Sequence, residues 1–398
     1  MSLPLSISKS SPIRNFIIGL SFHFYFSKAV FNHIEEFLYA SVQTGYRGKV
    51  INMVELSYAL CHRTTYGHFL SHGSWNEQFI WRALQKKGVQ LIYRKDAPPG
   101  EPIFVIYDDT ISEKTKPSSK ACCPIAKAGF HKSHLANKQV WGHQMIATLL
   151  SSERQVVPFS IDRYEKGGLS KIDIVCQKAE ELPLTSRPAY ALCDSWYTCE
   201  SVINAHFKRG YHLIGGLKTN RVIYPQGVRI QIQDFAQHIQ HNDVHLVTVG
   251  SSRYWVYRYE GPLKGIDHAA VIFCWPEHAF KKPKCLRAFL STDDELSTET
   301  ILNYYSQRWP IEIFFRQTKG NLGLNKYQVR SEVAIDRILA LIALCYFFCV
   351  LGSGRYNNLG DGLRSARSTT EREKVAFIYD ASKNGISLKE IFNRLKIA

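Results

Sequence analysis

Two short apolar runs, each followed directly by aspartate, constrain the fold of this chain more than any other feature. The run 103–107 is continuous and rich in β-branched and aromatic residues and leads into Asp108 and Asp109, and the run 189–193 leads into Asp194. Uninterrupted apolar runs of this length are typical of strands that are buried on both faces of a sheet. Because ligands collect at the carboxyl ends of strands in α/β sheets, these aspartates are expected to converge on one site.

The charge of the chain favours a nucleic-acid ligand. Its 398 residues contain 50 Lys and Arg against 34 Asp and Glu, a formal net charge of +16 at pH 7. Surplus cations attract a polyanion, of which nucleic acid is the commonest and an anionic membrane is the main rival. With 45% hydrophobic and 21% charged residues, the composition indicates a globular protein and argues against intrinsic disorder.

The sequence argues against a membrane anchor and against a structural zinc site. The uncharged stretch 338–351 is shorter than the ~20 residues that span a bilayer, so it predicts a buried core helix. The apolar stretch 16–26 is interrupted by polar residues, and no cleavage site of a signal peptide follows it. The ten cysteines form no C-x-x-C pair, which predicts free thiols in a reducing compartment. We therefore expect a soluble, cytoplasmic protein associated with the bacterial nucleoid.

Periodicity and composition divide the chain into five predicted segments. In the helical N-terminal part, a polar break at 61–64 resembles a helix-turn-helix whose second helix is capped by Thr64 or Thr65, although any small helical hairpin looks similar. The Ala-Pro-Pro-Gly stretch 97–100 predicts a boundary, beyond which strands alternate with helices in a mixed α/β sheet. The segments are 1–96, helical; 97–221, first part of the core; 222–291, a β-rich insertion; 292–352, second part of the core; and 353–398, a basic helical tail.

A third acidic residue, Glu312, lies in a predicted helix whose polar residues share one face. Pro310 removes a backbone donor and is expected to kink or restart the helix, which puts Glu312 in the first turn. A carboxylate beside an aromatic ring and three cations suits a metal ligand next to a DNA backbone, although a solvated amphipathic helix has the same pattern. The polar positions are spaced by three, four, four and three residues: Tyr305, Arg308, Glu312, Arg316 and Lys319.

These motifs together resemble a known family. The pattern Tyr305-x2-Arg308-x3-Glu312-x6-Lys319 resembles the signature of the bacterial insertion-sequence transposases of family four and its relatives, which are DDE enzymes with an RNase H-like core. The strings YDDT at 107–110 and CDSWY at 193–197 resemble the two aspartate motifs of that family. The long gap between Asp194 and Glu312 fits a core that is split by a β-rich insertion. The resemblance covers about residues 100–350.

The resemblance implies both a fold and an activity. The fold is α/β: an RNase H-like mixed sheet flanked by helices, with the β-rich insertion and an N-terminal helical domain that binds DNA ends. Asp109, Asp194 and Glu312 are the implied catalytic residues and ligands of two Mg²⁺ ions, for which Mn²⁺ is the expected substitute. The implied reaction is cleavage at transposon ends and strand transfer into target DNA, by cut-and-paste with a hairpin intermediate. The implied partners are double-stranded DNA, as terminal inverted repeats and target, and a second copy in a homodimer, with no membrane.

The resemblance also implies residues that contact DNA. Tyr305, Arg308 and Lys319 resemble the residues that hold phosphates near the cut, and Arg316 shares their helical face. Family members that form hairpins hold a flipped base on an aromatic residue of the insertion. Trp255 and Trp275 are the candidates for this role, with burial in the core as the competing and more frequent role for tryptophan.

Two points stay open at the level of sequence. Asp108 is an alternative to Asp109 as the first ligand; Asp109 is preferred because it directly precedes Thr110. The activity also has alternatives, namely an RNase H-like DNA nuclease that cuts without joining and a catalytically silent, domesticated DNA-binding relative.

Overall fold

The computed structural model describes residues 11–57, 61–120, 124–133, 137–152, 155–351 and 358–395. Cys122, Cys123 and both ends of the predicted tail lie outside the described residues. The α-helices, numbered in chain order, are α1 Pro12–Gly19, α2 Phe22–Tyr25, α3 Lys28–Val42, α4 Val50–Leu56, α5 Arg63–Ser71, α6 Gln78–Ile92, α7 Lys171–Glu181, α8 Glu200–Phe207, α9 Ile232–His238, α10 Thr298–Ser306, α11 Pro310–Asn321, α12 Glu332–Leu351, α13 Leu359–Lys383 and α14 Leu388–Leu395.

The described strands form one 12-stranded mixed sheet. Its order is β2-β3-β1-β5-β6-β12-β11-β10-β7-β8, with β4 also paired to β3 and β9 to β10. The strands are β1 Ile103–Glu113, β2 Gly129–Ser133, β3 Lys138–Ser151, β4 Val156–Tyr164, β5 Ala189–Cys193, β6 His212–Leu217, β7 Val222–Ile223, β8 Ile230–Gln231, β9 His245–Val249, β10 Ser252–Leu263, β11 Ile266–Pro276 and β12 Arg287–Ser291.

The pairing of the strands around β1 and β5 confirms the predicted RNase H-like α/β fold. β1 pairs antiparallel with β3 and parallel with β5, and β5 pairs parallel with β6 through the crossover helix α8. The apolar run of β5 is buried along its whole length, as predicted. The expectation that β1 ends at its aspartates is wrong, because the strand continues to Glu113, held by its pairing with β3 as far as Gly142.

The tract 222–291 is β-rich, as predicted, but its strands continue the core sheet. β12 returns to pair antiparallel with β6, so the insertion extends the same hydrogen-bonded ladder. Not all of this tract is extended: β8 is only Ile230–Gln231, and the helix α9 follows it at once. Ile232 and Ala236 are buried one helical turn apart, a helical signal too short to recognise in the sequence.

The N-terminal helices pack on α12, which is the central core helix. α12 is long and apolar enough to cross a membrane by composition, but 89% of its most apolar window is buried inside the protein, in agreement with the predicted core helix. Arg337 of α12 donates to the carbonyl oxygens of Leu70 (2.9 Å) and Gly73 (2.7 Å), which ties α12 to the end of α5. The predicted cap of α5 is wrong, because the His62 ring, and neither threonine, accepts from the backbone at its start.

The packing of α13 on α12 depends on one glycine, Gly362. A Cβ at this position would collide with the carbonyl oxygen of Cys349. We expect Gly362→Ala to lower the free energy of unfolding by about 1–3 kcal/mol, because the two helices must move apart. Gly360→Ala is the matched control: its Cβ would meet side-chain atoms and no backbone, the nearest being Oδ1 of the capping Asn358 at 3.3 Å. Denaturant unfolding of both variants measures the difference, and equal midpoints would contradict this account.

Candidate active site

The two neighbouring aspartates of β1 face opposite sides of the sheet. Side chains alternate along a strand, so even-numbered and odd-numbered residues of β1 lie on different faces. On the even face, Thr110 accepts a hydrogen bond from Lys319 of α11 (2.5 Å). On the odd face, the hydroxyl of Tyr107 lies 3.0 Å from Nε2 of His206 in α8. Asp108 therefore faces α11, and Asp109 faces α7 and α8.

An arginine joins Asp108 to Glu312. Nη1 of Arg308 lies 2.7 Å from Oδ2 of Asp108, and its Nη2 lies 2.5 Å from Oε1 of Glu312. Arg308 lies in the short link between α10 and α11, and its side chain is only 16% exposed. The proline that begins α11 sets Glu312 in the first turn, as the sequence predicts. Glu312 thus reaches the same face of the sheet as Asp108.

The parallel register of β5 brings Asp194 to the same face. The last paired residues of the two strands are Ile106 and Leu192. β5 ends at Cys193, and continuing the register by two residues puts Asp194, the residue after this end, level with Asp108. The Oδ1 atom of Asp194 accepts from the backbone N–H of Trp196 (2.8 Å), which fixes the turn after β5. Burial raises the pKa of Asp108 to about 6; Arg308 opposes this rise and the charge of Asp194 adds to it.

A glycine of β6 makes room for this turn. A Cβ on Gly216 would lie 3.2 Å from both the backbone nitrogen of Ser195 and the hydroxyl oxygen of Tyr305. Contacts this short would push the turn or the tyrosine away from the sheet. Tyr305 is half-buried here, and burial raises its pKa to about 12, so its phenol keeps its proton at neutral pH.

The carboxylate of Asp109 accepts hydrogen bonds on the opposite face of β1. Its Oδ2 accepts from Lys171 Nζ (2.7 Å) and from the hydroxyl of Tyr197 (2.8 Å), while its Oδ1 accepts from Gln144 Nε2 (2.6 Å). Both oxygens are therefore committed to side chains that lie away from Glu312. The structure brings Asp108, and not Asp109, together with Arg308 and Glu312.

The remaining predicted DNA contacts differ in exposure. Lys319 is half-buried, and it also donates to the carbonyl oxygen of Ile111 (3.0 Å), whereas Arg316 is exposed one turn beyond Glu312. Trp275 is only 1% exposed and packs in the core. Its role is therefore core packing, the alternative given above, and its ring has no free face for a base. Trp255 is half-buried, and its Nε1 donates to the carbonyl oxygen of Glu277 (3.2 Å).

Sequence reasoning missed an exposed tryptophan beside the carboxylates. Trp196, two residues after Asp194, is 51% exposed. The ammonium groups of Lys171 and Lys218 lie 4.6 Å and 5.3 Å from its ring centroid. Its place in the CDSWY string was visible, but nothing in the sequence showed that the ring is exposed with two lysines close to it.

The chemistry of the acidic cluster fits a divalent cation. Half-buried carboxylate oxygens are the donors that hard cations such as Mg²⁺ prefer. In the described part of the chain, the carboxylates of Asp108, Asp194 and Glu312 do not form a group whose oxygens all lie within 4.8 Å of one another. Arg308 lies between Asp108 and Glu312 and offsets part of their negative charge, as a cation between them would.

Acidic residues from adjacent strands of an RNase H-like sheet, completed by a glutamate from a later helix, define the class of metal-dependent enzymes that cut and join DNA strands. Residues 99–348, more than half of the chain, match the family described as "Transposase DDE domain", and the chain belongs to that family. It is thus a DDE transposase, of a family that uses divalent metal ions.

Comparison with individual proteins adds little to the family match. No curated protein matches the sequence. Among solved structures, the chain is similar to the one described as "Cryo-EM structure of piggyBac transposase synaptic complex with hairpin DNA", with 12% identity and a TM-score of 0.47. That match covers 97% of this chain and 81% of the other.

If a metal ion binds Asp108 and Glu312, it must compete with Arg308 for these carboxylates, which gives a testable consequence. We expect Arg308→Ala to bind Mn²⁺ roughly five- to thirtyfold more tightly, because two partly buried ion pairs worth about 1–2 kcal/mol no longer have to be broken. Arg316→Ala, which removes an exposed cation from the same helix, is the control and should change affinity little. Electron paramagnetic resonance titration measures the free ion; equal affinities in the two variants would refute the competition.

Proposed function

We propose that this transposase cuts DNA at the ends of a mobile element and joins those ends to target DNA by cut-and-paste, with Asp108, Asp194 and Glu312 holding two Mg²⁺ ions that Mn²⁺ can replace. The observation that supports this most is the convergence of Asp108, through Arg308, with Glu312 on the face that the register of β5 gives to Asp194. Cutting two ends calls for two active sites, so a homodimer on double-stranded DNA in the bacterial cytoplasm is part of the proposal.

The side chains around the carboxylates suit a phosphate substrate. When bound, the metal ions supply an activated water or 3′-hydroxyl and stabilise the leaving oxygen. Asp108, Asp194 and Glu312 would hold the ions, and Arg308, which pairs with Asp108 and Glu312 in their absence, would then be able to donate to phosphate oxygens. Tyr305 keeps its proton and can donate as well. Lys319 holds the strand beyond Asp108 by its contact with Thr110 and adds positive charge along the path of the DNA.

Asp108 replaces Asp109 in the ligand set. An Asp109 ligand would have to leave Lys171, Tyr197 and Gln144 and to cross from one face of β1 to the other. Asp108 needs only to exchange Arg308 for a metal ion. We assign Asp109 a supporting role: it holds Lys171 and Tyr197 beneath the turn that carries Asp194.

The neighbouring aspartates provide a matched pair of variants. We expect Asp108→Asn to abolish metal-dependent cleavage, as Asp194→Asn and Glu312→Gln should, because each removes a ligand charge. Asp109→Asn should keep cleavage with a loss of roughly 10- to 100-fold, as is typical for a residue that supports ligands. The assay is cleavage of DNA that carries the ends of the element, with Mg²⁺ or Mn²⁺, and DNA binding serves as the folding control.

The opposite result would decide the ligand in favour of Asp109. If Asp109→Asn is inactive and Asp108→Asn still cuts, the proposed ligand set is wrong. If all four variants cut as well as the parent protein, the carboxylates are not the catalytic residues and the proposed reaction fails.

Trp196 is the best-placed aromatic residue for holding an unpaired base next to the cut. A hairpin intermediate requires a distorted strand end, and a base that leaves the stack is stabilised by an aromatic ring flanked by cations. Trp196 has such a ring, half exposed, with Lys171 and Lys218 close by. Trp255 is the alternative in the insertion, where its ring is 4.4 Å from that of His241.

The two tryptophans can be compared directly. In a substrate with 2-aminopurine beside the cut, we expect the parent protein to change the fluorescence, Trp196→Ala to lose this change, and Trp196→Phe to keep it. Hairpin formation should fall roughly 5- to 150-fold in Trp196→Ala, in line with about 1–3 kcal/mol for one stacked base. Loss of the signal in Trp255→Ala alone would place the base on the insertion instead.

A further inference from the structure

A basic cleft lies at the end of β1, outside the site described above. Its volume is about 720 Å³. Three parts of the chain contribute to it: the loop before α4, the segment after β1 and the loop after α11. Its charged lining consists of six cations and a single acid: Arg47, Lys49, Lys114, Lys116, Lys326 and Arg330, with Glu113.

The other large cleft of similar volume does not share this positive lining. A second cleft of similar size, about 740 Å³, lies between α6, β4 and α7. Acids outnumber cations in its lining, namely Glu77, Asp162, Glu165, Glu181 and Asp336 against Arg82, Arg163 and Lys178. Of these two clefts of comparable size, the one at the end of β1 has the surplus of positive charge, and a polyanion would select that one.

The basic cleft is held in shape by a close backbone contact. Gly48 and Gly323 both have positive φ, +72° and +73°, and a Cβ on Gly323 would lie 2.8 Å from the Cα of Gly48. Only glycine allows the loop before α4 to approach the loop after α11 this closely. Lys114 adds to the junction by donating to the carbonyl oxygens of Asn325 (3.0 Å) and Tyr327 (2.9 Å). The exposed cations of the two loops are therefore fixed next to each other.

The cleft lies further along β1 from the carboxylate cluster. Asp108 and Glu113 are five residues apart on one strand, or ~17 Å at about 3.3 Å per residue. Lys319 lies between them, because it contacts Thr110 and Ile111. In duplex DNA, ~17 Å corresponds to about five base pairs at 3.4 Å each.

We propose that this basic cleft binds the phosphate backbone of the duplex about five base pairs from the cut. The ligand class is double-stranded DNA, recognised through its phosphates and not through its bases. The inference deepens the proposed function, since it rests on DNA being the substrate of the neighbouring carboxylates. On this proposal, the loop before α4 and the loop after α11 together align the DNA strand with Asp108.

The test removes three exposed cations of the cleft from the full chain. The variant is Lys49→Gln, Lys116→Gln and Lys326→Gln together, and the probe is a 30-base-pair duplex of arbitrary sequence. A matched control removes the same charge from exposed lysines that do not line the cleft: Lys86→Gln, Lys208→Gln and Lys389→Gln. Affinity is measured by fluorescence anisotropy over a series of salt concentrations, with circular dichroism to confirm folding.

The salt dependence of binding distinguishes the possible outcomes. Each lost phosphate contact lowers the slope of log affinity against log salt by about 0.9, so the cleft variant should lose roughly 2–3 units of slope and bind at least about tenfold more weakly. The control should keep the parent slope. An unchanged slope in the cleft variant, or an equal loss in the control, would overturn the proposal.

A cleavage assay distinguishes failure of the cleft proposal from failure of the proposed function. At saturating protein and low salt, the cleft variant should still cut DNA in the presence of Mg²⁺, because its carboxylates are intact. If the parent protein binds with the expected slope but no condition supports cleavage, the reaction is wrong and the cleft remains a DNA site. Binding of the parent to anionic lipid vesicles that is lost in the cleft variant, with duplex binding unchanged, would identify a membrane ligand instead.

Discussion

The alternation of side chains along β1 is the constraint on which the active site depends. Because Asp108 and Asp109 are consecutive in an extended strand, their carboxylates must lie on opposite faces. A register shift of one residue would exchange them and turn every neighbour of β1 to the wrong face. The ten paired positions between β1 and β3 hold this register, so the assignment of the two aspartates is fixed by the sheet and not by either side chain.

The insertion stabilises the same arrangement from the other side. Since β12 pairs with β6, the insertion covers the edge of β6 that would otherwise be free, and β6 in turn pairs with β5, the strand that leads into Asp194. Gly216 of β6 then allows Tyr305 and the turn after Asp194 to share one small space. A β-rich segment inserted between the second aspartate and the glutamate thus supports the site while leaving its face open towards α11.

The sequence predicted the elements that carry the site better than the directions of their side chains. Continuous apolar runs identified β1 and β5, and the position of Pro310 placed Glu312 in a first helical turn, because these signals are local. The preference for Asp109 over Asp108 rested on its place directly before Thr110. The faces on which the two carboxylates lie are instead set by the pairing of β1 with β3, a strand that comes well after it in the chain. The burial of Trp275 and the exposure of Trp196 likewise depend on tertiary packing, which no local pattern encodes.

The two aspartates lie in different electrostatic environments at this edge of the sheet. Asp109 forms an ion pair with Lys171, so the odd face carries a neutralised pair and adds little repulsion to the other side. On the even face one arginine bridges Asp108 and Glu312 next to a further acid, Asp194, which leaves an excess of negative charge. The raised pKa of Asp108 reflects this excess together with its burial. A divalent ion that displaces Arg308 would balance the acids and, in the same step, release a guanidinium for the incoming phosphate. On the proposed ligand set, metal binding and substrate binding would be coupled through Arg308.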